Sequence, residues 1–192
     1  MARRFFTSDL HFGSTCLVEN GVRHFKSVER MNEILIKNIN SRCSEDDVLI
    51  HIGDLCQRGN DRIWKGKNIN PIEYIRRINP QFVNIKGNHD PNNHVISACD
   101  FMRTTLGKKY LSVSVGHYPS YFTEAKGTFR KGDVRLCGHV HDKWKYYIDF
   151  DNKVLNINVG VDAWKYNPVS EDELVHYIDM IMRSKGTLKN RV

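Results

Sequence analysis

Short apolar runs recur along the chain, and each ends abruptly in Gly, Asp, Asn or His. Arg4-Phe5-Phe6-Thr7 leads into Ser8-Asp9-Leu10-His11, Val48 to Ile52 into Gly53-Asp54, and Phe82 to Ile85 into Gly87-Asn88-His89-Asp90. Leu111 to Val115 runs into Gly116-His117, and Val134 to Cys137 into Gly138-His139-Val140-His141. Short β-rich runs bounded by turn formers predict buried strands. Their polar ends are then expected along a common sheet edge.

Between the early runs the apolar period lengthens to three or four. Val28, Met31, Leu35 and Ile39 follow the N-cap candidate Ser27, and Ile72, Ile75 and Ile78 follow Pro71, so each set predicts a helix. A last helix opens on Ser170-Glu171-Asp172-Glu173, a capping box in which the Ser and Glu satisfy each other's backbone donors, and carries Leu174, Tyr177, Ile178 and Ile181. Tyr146 to Phe150, a turn at Asp151-Asn152 and Val154 to Val159 predict a hairpin. Early β-α-β crossovers followed by a hairpin predict a mixed, layered α/β fold. In open α/β sheets ligands bind beyond the carboxyl ends of strands, where all five polar clusters fall.

Composition narrows the class. A chain of 192 residues that is 40% hydrophobic can bury one substantial core, which predicts a single domain over residues 1–185 followed by a basic tail, 186–192, where any disorder would concentrate. Five cysteines without a Cys-x-x-Cys pair suggest neither a disulfide framework nor a thiolate zinc site. With no signal-peptide apolar region and no run approaching a membrane span, a soluble cytoplasmic protein is expected. The net charge of +7 favours anionic partners, but the basic residues are scattered, and a solvated basic surface explains them equally well.

The chemistry lies in the order of the motifs. Asp-x-His or Gly-Asp alone is a common strand-ending turn. Asp-x-His, Gly-Asp, Gly-Asn-His-Asp, Gly-His and Gly-His-x-His at successive strand ends offer more ligands than one ion can use. Carboxylate oxygen, imidazole nitrogen and an amide carbonyl form a donor mixture suited to borderline divalent ions. Strand alternation would put Asp9 with His11, and His139 with His141, on one side. Gly53, Gly87, Gly116 and Gly138 would allow tight turns and close backbone approach beside them.

These ordered motifs, from Asp9 to His141, resemble those of the calcineurin-like metallophosphoesterases. Phe-Phe-Thr-Ser-Asp-Leu-His-Phe-Gly, Met31-Asn32-Glu33 and Asn158-Val159-Gly160-Val161-Asp162 are similar to segments of the small single-domain bacterial and phage members. The resemblance implies a four-layer α/β/β/α sandwich and two divalent ions, manganese foremost, with iron, zinc, nickel or magnesium as alternatives. It also implies that Asp9, His11 and His141 bind one ion, that Asn88, His117 and His139 bind the other, and that Asp54 bridges them. Such a pair can activate a shared water and neutralise phosphoryl oxygens. His89 is then the proton-donating or charge-stabilising group, contacting substrate with Asn88, and Asp90 orients its imidazole.

Substrate is less legible. Arg58, in Gly53-Asp54-Leu55-Cys56-Gln57-Arg58-Gly59, stands where protein Ser/Thr phosphatases carry a phosphate-binding arginine; Gln57 replaces their Asp, and Asp90 their Glu. A surface ion pair is the competing reading for Arg58. Three functions remain open: a phosphodiesterase or phosphatase acting on nucleotides or other small phosphoesters, a nuclease or end-processing enzyme, and a non-catalytic metal-binding scaffold. The second is favoured by Trp64-Lys65-Gly66-Lys67 and Lys143-Trp144-Lys145-Tyr146-Tyr147. The third is opposed by the intact ligand set. No obligate protein partner is evident. Specificity is expected from the loops 14–27, 57–70 and 119–132. His51 reads as a core residue, His94 and His176 as surface or helix residues, and His24 as either a substrate contact or a solvated loop residue.

Overall fold

The computed structural model describes residues 2–56, 70–92, 95–108 and 111–184. Arg58, the Trp64 to Lys67 run, His94 and the tail therefore lie outside the described residues. In chain order the elements are β1 (Arg4–Thr7), α1 (Thr15–Glu19), α2 (Val28–Arg42), β2 (Val48–Ile52), α3 (Pro71–Ile75), β3 (Gln81–Ile85), β4 (Phe101–Leu106), β5 (Leu111–Gly116), β6 (Val134–Cys137), β7 (Tyr146–Asp149), β8 (Val154–Asn158), β9 (Val169–Ser170) and α4 (Glu171–Ser184). The described strands form two sheets, in the orders β3-β2-β1-β9 and β4-β5-β6-β8-β7.

Alternation along β1 sets the layering. Phe5 and its parallel partner Leu49 turn to one side, where they pack with Val28, Met31, Leu35, Ile36 and Ile39 of α2. Phe6 and its partner Ile50 turn to the other and meet Val113, Val115, Val134, Leu136, Leu155 and Ile157 of the second sheet, together with Leu174, Ile178 and Ile181 of α4. Each such apolar side chain contributes about 1.5–3 kcal/mol on burial. The result is the expected mixed α/β fold, two sheets flanked by helices.

Local chemistry fixes the helix starts. Ser27 Oγ accepts from the Arg30 amide at 3.2 Å, and the Asn70 side chain accepts from the Ile72 amide ahead of Pro71. The capping box closes as the sequence suggests, with Ser170 N donating to Glu173 Oε2 at 2.8 Å and Glu173 N to Ser170 Oγ at 3.3 Å. Arg4 bonds Glu171, Thr104 and the Thr105 carbonyl, which ties β1 to the helix start and to the second sheet.

Three elements escape the sequence pattern: the five-residue α1, the two-residue β9 and the edge strand β4. In β4, Arg103 and Thr105 face outward and break the apolar signature of a buried strand. The helix after Pro71 ends at Ile75, and Ile78 is buried beyond it. The largest correction concerns the polar strand ends. They line two sheets, not one: β1, β2 and β3 run parallel in the first, and β5, β6 and β8 run parallel in the second. The chain joins the two edges where Ser8 bridges to Gly160.

The outer face of the second sheet is polar at Ser114, Arg135 and Asn156, all buried. Residues 118–128 cover it: Arg135 donates to the Tyr118 carbonyl, and Ser120 N donates to Asn156 Oδ1. Among the described residues, no helix is long and apolar enough to cross a membrane.

Candidate metal centre

Just past β1, β2 and β6 the backbone enters the left-handed region. Asp9, His11, Asp54, His139 and His141 all have φ between 46° and 71°, the left-handed conformation that L residues avoid at a cost of about 1–3 kcal/mol each. The Asp9/His11 and His139/His141 pairs are therefore aimed by left-handed turns, not by the strand alternation that the sequence suggests. Neighbouring strands hold the turns: Asp9 N donates to the Gly53 carbonyl and His11 N to the Asp54 carbonyl, both at 3.0 Å. Gly138 has no room for a side chain, because a Cβ there would land on Ser8 Oγ and Asp9 Oδ2. A Cβ on Gly53, itself at φ +86°, would lie 2.7 Å from His117 Nδ1.

These turns, with the ends of β3 and β5, bring together every predicted ligand. Asp9, His11 and His141 form one group able to hold a metal ion, Asp54, His117 and His139 a second, and His11, Asp54 and His89 a third, each with its ligand atoms within 4.8 Å of one another. Asp54 Oδ2 is 3.3 Å from His117 Nε2, 3.6 Å from His11 Nε2 and 3.9 Å from His89 Nε2. Asn88 Oδ1 lies 3.0 Å from both His117 Nε2 and His139 Nδ1.

The donor set fits cations. His117 Nδ1 is 2.8 Å from the Ile52 carbonyl, which can only accept, so a neutral His117 ring turns its Nε2 lone pair toward two oxygen acceptors, Asn88 Oδ1 and Asp54 Oδ2. A proton or a metal ion relieves that clash. Burial opposes protonation, but the Asp54 carboxylate outweighs it and pushes His117 up to about 9. Burial favours the neutral form of Asp54, yet the hydrogen bond and charge of His117 hold it well below the usual carboxylate range. At His11 burial prevails and drives the pKa well down, and neither buried ring nitrogen has a hydrogen-bond partner. A buried imidazole left unbonded beside two carboxylates is what a metal ligand looks like without its metal.

A supporting layer holds the candidate ligands. Asp162 Oδ2 accepts from His141 Nδ1 at 2.9 Å, leaving Nε2 for a ligand, and both Asp162 oxygens bond the fully buried Arg23 at 2.8 Å. Arg23 also donates to the carbonyls of Asp9 and Leu10. Asp90 accepts from the amides of Asp54, Leu55 and Gly87 and from the Asn84 side chain. These bonds make Asp90 a clamp between the turns after β2 and β3, a role the sequence pattern does not predict. His51, buried as expected, lies 2.6 Å from Asn84 through Nδ1. His24 and His176 are exposed.

Arg23 and Asp162 went unrecognised as functional candidates. Asp162 carried a usable signal, since Gly160-Val161-Asp162 follows a β-rich run as Gly53-Asp54 does, with one residue more between glycine and carboxylate. Arg23 carried none: a buried arginine is recognisable only once its partners, 139 positions away in one case, are in place.

The family model for the calcineurin-like phosphoesterases matches residues 2–167. An uncharacterized protein of Methanocaldococcus jannaschii is 30% identical over 180 residues, 93% of each chain. Among solved structures, a protein of unknown function from Aquifex aeolicus superposes with a TM-score of 0.69 at 22% identity, covering 92% of this chain and 100% of its own, which shows a shared fold. The E. coli phosphoesterase Yfce matches with a TM-score of 0.46 at 17% identity over 81% of this chain and 78% of its own.

Proposed function

The chain belongs to the calcineurin-like phosphoesterase family, and on that premise we propose that it hydrolyses phosphoesters at a two-ion centre, acting as a phosphodiesterase or phosphatase on nucleotides or similar small esters. The observation that carries this reading is the position of Asp54, whose single oxygen Oδ2 faces His11 from one group and His117 from the other.

In this reading Asp9, His11 and His141 hold one divalent ion, Asn88, His117 and His139 the other, and Asp54 both. When bound, the two ions would supply Lewis acidity, lowering the pKa of an attacking water and neutralising phosphoryl oxygens. The chain's own residues supply the rest. His89, part-exposed at 29% and 3.9 Å from Asp54 through Nε2, would give a proton to the leaving oxygen, a role its partial exposure beside the centre supports. Its amide donates to Asp54 Oδ1 at 2.8 Å, so the acid and the shared carboxylate are held in one geometry. Arg58 stands as a candidate phosphate contact outside the described residues. An intact ligand set is expected of an enzyme and is not required of a scaffold.

The test is hydrolysis of bis-p-nitrophenyl phosphate and p-nitrophenyl phosphate by metal-stripped protein, with and without manganese. Manganese-dependent cleavage is expected, and the preferred ester separates diesterase from monoesterase. Absence of turnover with every divalent ion tried would favour the non-catalytic reading.

A further inference from the structure

A series of ring contacts leads away from His139. Tyr118 and Phe122 lie 4.8 and 4.9 Å from its imidazole. Phe122 meets Tyr121 at 4.8 Å, and Tyr121 meets Tyr147 at 5.2 Å. Trp144 completes the outer end, 5.9 Å from Tyr147 and 6.5 Å from Tyr121. The inner end touches the candidate metal centre. The outer end is open, with Tyr121 45% and Tyr147 43% exposed.

The chain's entry into β7 divides these rings from the core, two side chains turning inward between two that turn outward. Lys145 rests its ammonium 3.5 Å over Trp164, and Tyr146 packs on Tyr177, so both serve the interior. Trp144 and Tyr147 point to the other side and meet Tyr121, which arrives on a different loop. The planes of Trp144 and Tyr147 are 35° apart, whereas Tyr121 stands at 72° to Tyr147. A flat ring laid on one therefore meets the edge of the next, the arrangement aromatic pairs prefer. Exposing such apolar area to water is unfavourable. A partner that covers it while carrying negative charge to the centre suits a chain of net charge +7, with exposed Lys143 beside Trp144.

We propose that Tyr121, Trp144 and Tyr147 form a base-stacking subsite, so that the substrate is a nucleotide ester whose phosphate sits at the centre while its base lies on these rings. The phosphate end of this assignment rests on the phosphoesterase reading. The base end does not. Stacking on aromatic side chains tolerates any base, since every base has a π-face, so the subsite selects a nucleotide without selecting its letter.

The experiment has two arms, using manganese-loaded full-length protein. In the first, AMP binding is measured calorimetrically for wild type, Tyr121→Ala, Tyr147→Ala and the two Tyr→Phe variants. Alanine is expected to weaken binding about tenfold, while phenylalanine, which keeps the ring, stays within about twofold of wild type. In the second, kcat/KM is compared for adenylyl-adenosine and for glycerophosphocholine, a diester without a ring. The ratio is expected to fall about tenfold in the alanine variants. Unchanged AMP affinity and an unchanged ratio would overturn the subsite, even if both esters are hydrolysed. AMP binding that depends on Tyr121 without hydrolysis of either ester would uphold the subsite and sink the phosphoesterase reading. Affinity for oligothymidylates that climbs beyond two nucleotides would assign the rings to a nucleic-acid strand and overturn the nucleotide assignment.

Discussion

Asp162 Oδ2 sits 2.9 Å from His141 Nδ1 while both of its oxygens grip the guanidinium of Arg23. Burial disfavours the charged carboxylate, but the bonds from His141 and Arg23 hold it well below the usual range, so it stays ionised and fixes the ring with Nε2 free. Arg23 carries the constraint on to the carbonyls of Asp9 and Leu10. One buried ion pair thus sets the orientation of two proposed ligands from strand ends in different sheets.

Asp162→Ala should therefore lower affinity for the ion proposed at Asp9, His11 and His141 by about 10–100-fold. Calorimetric titration of metal-stripped protein checks this, and the affinity of the second ion should change much less. Equal loss at both sites would mean that Asp162 supports the fold and not this ligand.

Asp90→Ala would leave the buried amides of Asp54, Leu55 and Gly87 without their acceptor, at a cost of roughly 3 kcal/mol in stability. Urea unfolding should show the loss, and Asp90→Asn, which keeps one acceptor oxygen, should fall between. If Asp90→Ala instead unfolds like wild type and loses only turnover, Asp90 acts on His89 as the sequence reading had it.

A methyl group at residue 138 has nowhere to go. Gly138→Ala should displace the Asp9 carboxylate, which the His139 amide now holds, and weaken metal binding more than it lowers the melting temperature. Calorimetry with a thermal melt on the same sample separates the two effects.

His89→Asn should lower turnover by about 10²–10⁴-fold, the usual worth of a general acid, while most of the metal remains bound. Metal analysis beside kinetics tests the division of labour. Loss of metal in step with activity would make His89 a ligand.

Much of this was legible in the chain because the fold puts chemistry at strand ends, and strand ends are where apolar runs stop. Asp9, His11, Asp54, Asn88, His117, His139 and His141 each follow a β-rich run, and the structure brings all of them together. Two things were not legible. Sequence period cannot reveal left-handed backbone at five non-glycine residues, because it records which side chains are buried and not how a turn is strained. Nor can it show that the runs divide between two sheets, a matter of long-range pairing such as that of Ser8 with Gly160. The support from Arg23, Asp162 and Asp90 was hidden for the same reason, since it joins groups distant in sequence, Arg23 with Asp162 and Asp90 with the amides of Asp54 and Leu55.

Asp54 is proposed to serve two ions at once. The most direct measurement is a manganese titration of metal-stripped wild type and Asp54→Asn, read as ions bound per chain alongside cleavage of bis-p-nitrophenyl phosphate. Two ions per wild-type chain are predicted, with weakened binding at both sites and no cleavage in the variant. A single ion in wild type, or full activity in Asp54→Asn, would contradict the account.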